Sequence, residues 1–195
     1  MIDKITYEKE YIERLQLESK NDPMLIERTI FAFGLLEALV RVGLPFIFKG
    51  GTCLMLLLEK PKRLSTDIDI IVKPNTDIDE YIRKAAEIFP FEKSDEQIRK
   101  GKNGIVKRHF HFSYQSPTRN KSLTILLDVL FEENNYAQTI AKEINNELLR
   151  INEPIYSVIV PTAECILGDK LTAFAPHTTG ILLGEDKDLE VMKHV

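Results

Sequence analysis

The stretch from Leu123 to Phe131 constrains the fold most strongly, because it is almost continuously apolar. Only Thr124 and Asp128 interrupt it. An apolar run of this length and composition predicts a central strand of a β-sheet. A lone carboxylate inside such a run needs a partner or a metal ion. The sequence therefore predicts a sheet-containing domain with one acid, Asp128, on its central strand.

The segments around this strand predict a mixed order of helices and strands. Asp22 and Pro23 are suited to the N-cap and first position of a helix from Met24 to Val42, and Gly43 ends it. Further helices are predicted over residues 5–18, from the glycine turn to 59, over 79–88, over 137–149, from 162 and from 185. Further strands are predicted over residues 45–48, 65–72, 105–114 and 155–160.

This order predicts an α/β (α+β) fold with a mixed β-sheet flanked by helices. We expect a catalytic domain over residues 1–160 and the start of a helical C-terminal region over residues 161–195. The sequence stops inside the helix predicted from Glu185, which favours a truncated C-terminal region.

Composition excludes several classes of protein. The chain has 195 residues, 44% hydrophobic and 29% charged, enough for one globular domain. A net charge of -4 argues against a DNA-packaging protein. The charged N-terminus lacks a signal peptide, and the longest apolar run, Leu54 to Leu58, is too short to span a bilayer. Cys53 and Cys165 lie in apolar stretches without metal-type spacing. We therefore expect a cytoplasmic protein with reduced thiols and no membrane partner.

Asp67 and Asp69 are two residues apart in a β-branched segment. On a strand, this spacing places both side chains on one face. The paired carboxylates repel each other, and a divalent cation such as Mg²⁺ would compensate them through oxygen ligands. The pair alone is equally typical of solvated acids on an edge strand.

Gly50-Gly51-Thr52 lies between a predicted strand and the N-terminus of a helix. Such a turn exposes backbone N–H groups, and the helix dipole favours an anion there. Without side chains at the glycines, a triphosphate can approach the backbone, and Thr52 adds a hydroxyl. A tight structural turn is the alternative, and the Lys-Ser/Thr element of a Walker A loop is absent.

Asp128 would add a third carboxylate to the Asp67 and Asp69 pair. Three acids can complete a two-metal site that stabilises the attacking and leaving oxygens of a displacement. The alternative is a strand-end salt bridge between Asp128 and a lysine or arginine. An EF-hand is excluded, since Ile71 and Val72 stand where it needs a ligand and a glycine.

A basic stretch contains no acid from Gln97 through Leu127. On a net-acidic chain it predicts a local positive surface for phosphates or nucleic acid, and a solvated loop is the alternative. Its basic residues are Arg99, Lys100, Lys102, Lys107, Arg108, His109, His111, Arg119 and Lys121.

The motifs together resemble a known superfamily. Lys49-Gly50-Gly51-Thr52, a helix, and then Arg63-Leu64-Ser65-Thr66-Asp67-Ile68-Asp69 resemble the DNA polymerase β-like nucleotidyltransferases. Within them the chain is most similar to the AbiEii/MenT toxins of toxin–antitoxin and phage-abortive systems. The same resemblance extends to Asp128, to Lys170 and to the Lys187-Asp188 pair.

The resemblance implies a role for each motif residue. Gly50, Gly51 and Thr52 would hold the phosphates of an NTP, with Arg63 and Ser65 beside them. Asp67 and Asp69 would bind Mg²⁺, or Mn²⁺ in its place, with Asp128 as third ligand or as base. Lys170 would neutralise the triphosphate, and Asp188 would orient Lys170 or the nucleotide.

The resemblance also implies a reaction, the transfer of a nucleoside monophosphate from an NTP to an acceptor hydroxyl. The basic stretch favours an RNA acceptor such as a tRNA 3′ end. A small-molecule acceptor, as in aminoglycoside nucleotidyltransferases, and a non-catalytic module that binds RNA or an antitoxin remain as alternatives. A cognate antitoxin is the protein partner implied.

Overall fold

The computed structural model describes residues 1–59, 61, 63–97 and 106–172, and these residues form two β-sheets flanked by helices. The larger sheet has five strands: β1 (Ile47–Lys49), β2 (Ile68–Val72), β3 (Phe91–Gln97), β4 (Lys107–Gln115) and β5 (Ser122–Phe131). The smaller sheet pairs β6 (Thr139–Glu143) with β7 (Ser157–Pro161).

The described helices begin with a 3-10 helix at Lys4–Tyr7. The five α-helices are α1 (Lys9–Ser19), α2 (Pro23–Arg41), α3 (Gly50–Leu57), α4 (Asp79–Ala86) and α5 (Ala163–Thr172). None of these helices has both the length and the apolar character that a membrane span needs.

The larger sheet has the strand order β1-β2-β5-β4-β3. β5 lies at its centre, parallel to β2 and antiparallel to β4. The other neighbouring pairs, β1 with β2 and β3 with β4, are antiparallel. The mixed sheet and the central position predicted for the apolar run are confirmed.

Helix α2 is the main element of the core. The side chain of Asp22 accepts hydrogen bonds from the N–H groups of Met24 and Leu25, and Pro23 occupies the first turn. Apart from Arg28, the helix is buried from residue 26 to 39, and it packs against β2, β5 and α4. Its Phe31 stacks on Tyr114 of β4 with ring centroids 3.8 Å apart. The predicted cap, helix and glycine stop are confirmed, and Gly43 has a φ of +78°.

Two segments differ from the prediction. The helix predicted over residues 137–149 is wrong, since Thr139–Glu143 is strand β6. Backbone pairing with β7 overrides the helical preference of Ala141, Lys142 and Glu143 there. Strand β3 was not predicted, because Phe91–Gln97 is polar and lacks β-branched residues, and its pairing with β4 alone makes it a strand.

Candidate active site

One row of polar residues crosses the whole larger sheet. The strand registers pair Lys49 with Asp69, Asp69 with Asp128, Asp128 with His109, and His109 with Gln97. Directly paired residues project from the same face of a sheet. Asp69 and Asp128, far apart in sequence, are therefore neighbours on adjacent strands. Asp67 lies just before β2, which begins at Ile68.

The carboxyl group of Asp69 is held in an unfavourable electrostatic environment. Burial raises its pKa most, and the nearby carboxylates of Asp128 and Asp67 raise it further. The ammonium groups of Lys49 and Lys107 oppose them, and the resulting pKa is about 6. Both other acids thus repel the carboxylate of Asp69, and a bound cation would relieve that repulsion.

The donor set suits Mg²⁺, a hard cation that prefers carboxylate oxygens. Asp67, Asp69 and Asp128 would hold it. Among the described residues, no three Asp, Glu, His or Cys side chains bring their donor atoms together into a complete metal site. One oxygen of Asp128 is already bonded to His109.

The glycine turn packs directly on two residues of the acidic segment. Gly50 has a φ of +81°, and a Cβ built on it would lie 2.1 Å from Oδ2 of Asp69. A Cβ on Gly51 would lie 2.8 Å from Oγ of Ser65. A side chain at either position would displace Asp69 or Ser65, and the left-handed backbone of Gly50 favours glycine there in addition.

Thr52 does not lie in the cleft beside these glycines. Its side chain is fully buried, and its hydroxyl donates a hydrogen bond of 2.6 Å to the backbone carbonyl of Asp67. Thr29 of α2 donates similarly to the carbonyl of Ser65 at 3.1 Å. Two buried threonines thus hold the segment that carries the acids. The contact predicted from the Thr52 hydroxyl to phosphate stays a prediction.

A main cleft of about 620 Å³ brings most of the predicted site residues together. Those that line it are Gly50, Gly51, Arg63, Ser65, Asp67, Asp69 and Lys170. Asp128 lies outside it and lines a side pocket of about 150 Å³. Lys49 and Asp69 line both cavities, so the two meet at these residues.

Lys170 reaches the main cleft from α5. Burial lowers its pKa, the neighbouring Arg63 lowers it further, and Asp69 acts in the opposite direction. Three cations, Lys49, Arg63 and Lys170, therefore share this cleft with the carboxylates of Asp67, Asp69 and Asp169. Such a mixture can bind a polyphosphate together with its metal ion.

A cluster of Lys49, Asp169 and Tyr136 was not predicted. The ammonium of Lys49 lies 3.0 Å from Oδ2 of Asp169, and the Tyr136 hydroxyl donates to the same oxygen. Burial and the Asp169 carboxylate raise the pKa of Tyr136. The cluster joins β1 to α5 and so helps to position Lys170. The only signal in the sequence is that Lys49 precedes Gly50 and Asp169 precedes Lys170, and both of these neighbours are predicted site residues.

The partner of Asp128 is a histidine rather than a lysine or arginine. Nδ1 of His109 lies 2.6 Å from Oδ1 of Asp128. Both side chains are largely enclosed, with 13% of His109 and 34% of Asp128 exposed. The alternation along β4 puts His109 on the polar face, but only the register with β5 reveals its partner.

These contacts place a glycine turn, paired acids, a third strand acid and a helical lysine around one edge of the sheet. A family model described as the nucleotidyl transferase AbiEii toxin of type IV toxin–antitoxin systems matches residues 34–194. The chain belongs to this AbiEii family. The match includes every site residue named above.

Two solved structures share the fold of this AbiEii chain. JHP933 from Helicobacter pylori aligns over 75% of this chain and 57% of its own, with a TM-score of 0.50 and 18% identity. An antigenic nucleotidyltransferase-like protein from Paracoccidioides brasiliensis aligns over 86% of this chain and 75% of its own, with a TM-score of 0.52 and 16% identity. This chain thus spans 57% of the length of JHP933. No curated protein sequence matches it.

Only part of the basic stretch faces the acids of this AbiEii protein. Lys107 and His109 line the side pocket, whereas Arg108 pairs with Glu96 and Asp79. Arg99, Lys100, Lys102, Lys187 and Asp188 lie outside the described residues.

Proposed function

We propose that this protein is a Mg²⁺-dependent nucleotidyltransferase that moves a nucleoside monophosphate from an NTP to an acceptor hydroxyl. One observation carries the proposal. The glycine turn packs against Asp69 in the same cleft that contains Lys170. Phosphate-binding and metal-binding groups are thus adjacent, as nucleotidyl transfer requires.

The main cleft would bind the triphosphate. The backbone N–H groups at Gly50 and Gly51 lie at the positive end of α3, which favours an anion. Arg63, Ser65 and Lys170 line the same cleft. Lys170 would counter the charge that develops on the leaving pyrophosphate. We assign Asp188 the orientation of Lys170 or of the nucleotide.

The acids would hold the metal and accept a proton. Mg²⁺ or Mn²⁺, when bound to Asp67, Asp69 and Asp128, supplies Lewis-acid polarisation of the α-phosphate. The acceptor oxygen forms a bond to the α-phosphorus while the bond to the β-phosphate oxygen breaks and pyrophosphate leaves. Asp128 would accept the proton of the acceptor hydroxyl. Thr52 contributes by holding the carbonyl of Asp67.

An RNA 3′ end such as that of tRNA is the acceptor we favour. The side pocket contains Lys49, Lys107 and His109 besides the acids Asp69 and Asp128. These basic groups favour a phosphate-bearing acceptor over a cationic aminoglycoside. NTPs and tRNA are cytoplasmic, so we place the activity there, with a cognate antitoxin as protein partner. Residues 1–160 would form the catalytic domain, and residues 161–195 would begin the helical region that supplies Lys170.

Transfer of labelled nucleotide tests the function. The protein is incubated with each α-labelled NTP and Mg²⁺, with total tRNA in one series and aminoglycosides in another. We expect label in RNA, and none when EDTA replaces Mg²⁺. Label in the aminoglycoside alone would show that the acceptor is a small molecule rather than RNA. Tight RNA or antitoxin binding without NTP binding or turnover would identify a non-catalytic module.

His109 provides a separate prediction, since it orients Asp128. His109→Phe removes the ring nitrogen 2.6 Å from Asp128, and we expect transfer to fall by about 10- to 100-fold. The KM for NTP should change little, because His109 does not line the main cleft. Single-turnover rates and KM values check this expectation.

His111→Phe is the matched control. His111 lies two residues away on the same face of β4, and its Nε2 contacts Gln97 at 3.2 Å rather than an acid of the site. If both variants lose transfer equally, His109 has no specific role in orienting Asp128.

A further inference from the structure

The side pocket lies against the carboxylates but away from the glycine turn. Asp128, His109 and Lys107 line it, and neither Gly50 nor Gly51 does. It meets the main cleft at Asp69 and Lys49. A group in the side pocket would therefore reach the acids from a different direction than the triphosphate.

That direction matters because of the geometry of phosphoryl transfer. The attacking and leaving oxygens lie roughly in line, on opposite sides of the phosphorus. If pyrophosphate leaves on the glycine-turn side, the acceptor hydroxyl must enter from the side pocket, where Asp128 is placed to take its proton. This step rests on the function proposed above.

Lys107 differs from the other basic residues around the pocket because no acidic side chain among the described residues forms an ion pair with it. Lys49 is paired with Asp169, and His109 is bonded to Asp128. Arg108 is paired with Glu96 and Asp79. The Lys107 side chain forms no hydrogen bond or ion pair with any residue that the structure describes. It is exposed at the start of β4 and lines the side pocket together with Asp69 and Asp128.

We propose that the side pocket is an acceptor subsite for the end of a single-stranded RNA, in which Lys107 binds a backbone phosphate next to the acceptor hydroxyl. An unpaired ammonium beside the carboxylates attracts a phosphate and repels a cationic aminoglycoside. Lys107 would thus select an acceptor that carries a negative charge next to its hydroxyl group.

Binding of a short fluorescent oligoribonucleotide at several salt concentrations tests the subsite. Each phosphate contact in single-stranded nucleic acid contributes about -0.7 to the slope of log K against log salt. We expect Lys107→Ala to weaken binding roughly tenfold at low salt and to make this slope shallower by about 0.7. Lys107→Glu should weaken binding further, and Lys107→Arg should retain it. NTP affinity should stay at its wild-type value.

Lys121→Ala is the matched control. Lys121 belongs to the same basic stretch and is exposed, but it precedes β5 at the opposite end of the β4–β5 pair. It should keep the wild-type affinity and slope.

The subsite is overturned if Lys107→Ala and Lys121→Ala have the same affinity and slope, or if the wild-type protein does not bind the oligoribonucleotide. Transfer to a neutral small molecule but not to RNA would overturn the subsite and leave the transferase intact. Absence of NTP binding and turnover in the wild-type protein would overturn the transferase and the acceptor role of the pocket, while the RNA-binding measurement would still decide whether Lys107 binds an RNA phosphate.

Discussion

Asp69→Asn is expected to lower the rate of nucleotidyl transfer by about a thousandfold or more. Asp69 lies where the two cavities meet, between Lys49 and Asp128 in the row across the sheet. An amide at this position removes a charged metal ligand without changing side-chain volume. Because metal stabilisation of a phosphoryl transition state amounts to several kcal/mol, its loss should be large. Single-turnover incorporation of labelled nucleotide measures the effect.

The same substitution should stabilise the metal-free protein. The pKa of Asp69 is about 6 in the folded protein and near 3.8 without the fold. Because folding raises this pKa, the contribution of Asp69 to the free energy of unfolding is fully present below about pH 4. It is lost as the pH rises through about 6 and the buried carboxyl group ionises. In EDTA, Asp69→Asn should therefore match the wild type at about pH 4 and exceed its free energy of unfolding at about pH 8 by on the order of 2 kcal/mol.

Asp95→Asn is the control for both effects. Asp95 is an exposed carboxylate on β3 that pairs with Lys93, away from both cavities. It should keep wild-type transfer and show no comparable gain of stability. Full transfer by Asp69→Asn would contradict the proposed function, and reduced stability in EDTA would contradict the repulsion described among the three acids.

Gly50→Ala is expected to abolish transfer and to destabilise the fold by roughly 2–5 kcal/mol. A left-handed backbone is unfavourable for alanine, and the new Cβ would lie 2.1 Å from Oδ2 and 3.1 Å from Cβ of Asp69. Movement of the carboxylate can relieve part of the clash, but it displaces the metal ligand. Transfer should thus be lost even where part of the stability is recovered.

Gly43→Ala is the control that measures the cost of placing alanine in a left-handed backbone without a steric clash. Gly43 has a nearly identical φ of +78°, but a Cβ there has nothing within 4 Å. It should cost only about 1–2 kcal/mol and keep transfer. Urea unfolding and labelled-nucleotide incorporation compare the two variants. Equal losses of activity would show that the close approach of Gly50 to Asp69 is not required.

Local features of the sequence predicted much of the fold. The capped helix α2 and the central strand β5 depend on caps and apolar patterns that neighbouring residues define. The edge strands β3 and β6 were missed, because their polar sequences carry no strand pattern. They become strands only by pairing with β4 and β7.

In the candidate site, too, local signals could be predicted from the sequence, whereas contacts between distant residues could not. Gly50, Asp67 and Asp69 could be predicted as site residues because turn geometry and strand alternation act over a few residues. The His109–Asp128 bond and the Lys49–Asp169 pair join residues from different elements. No spacing along the chain encodes these pairs.

The sequence by itself predicted which residues would carry the chemistry: the glycine turn, the acid pair, the third acid and Lys170. The tertiary structure decided which of them meet and which partner each takes. It brought Asp128 beside Asp69, bonded it to His109 and buried the hydroxyl of Thr52 under Asp67. The physical reason is that strand register and helix packing minimise the energy of the whole chain, so contacts between distant residues follow only once the sheet is assembled.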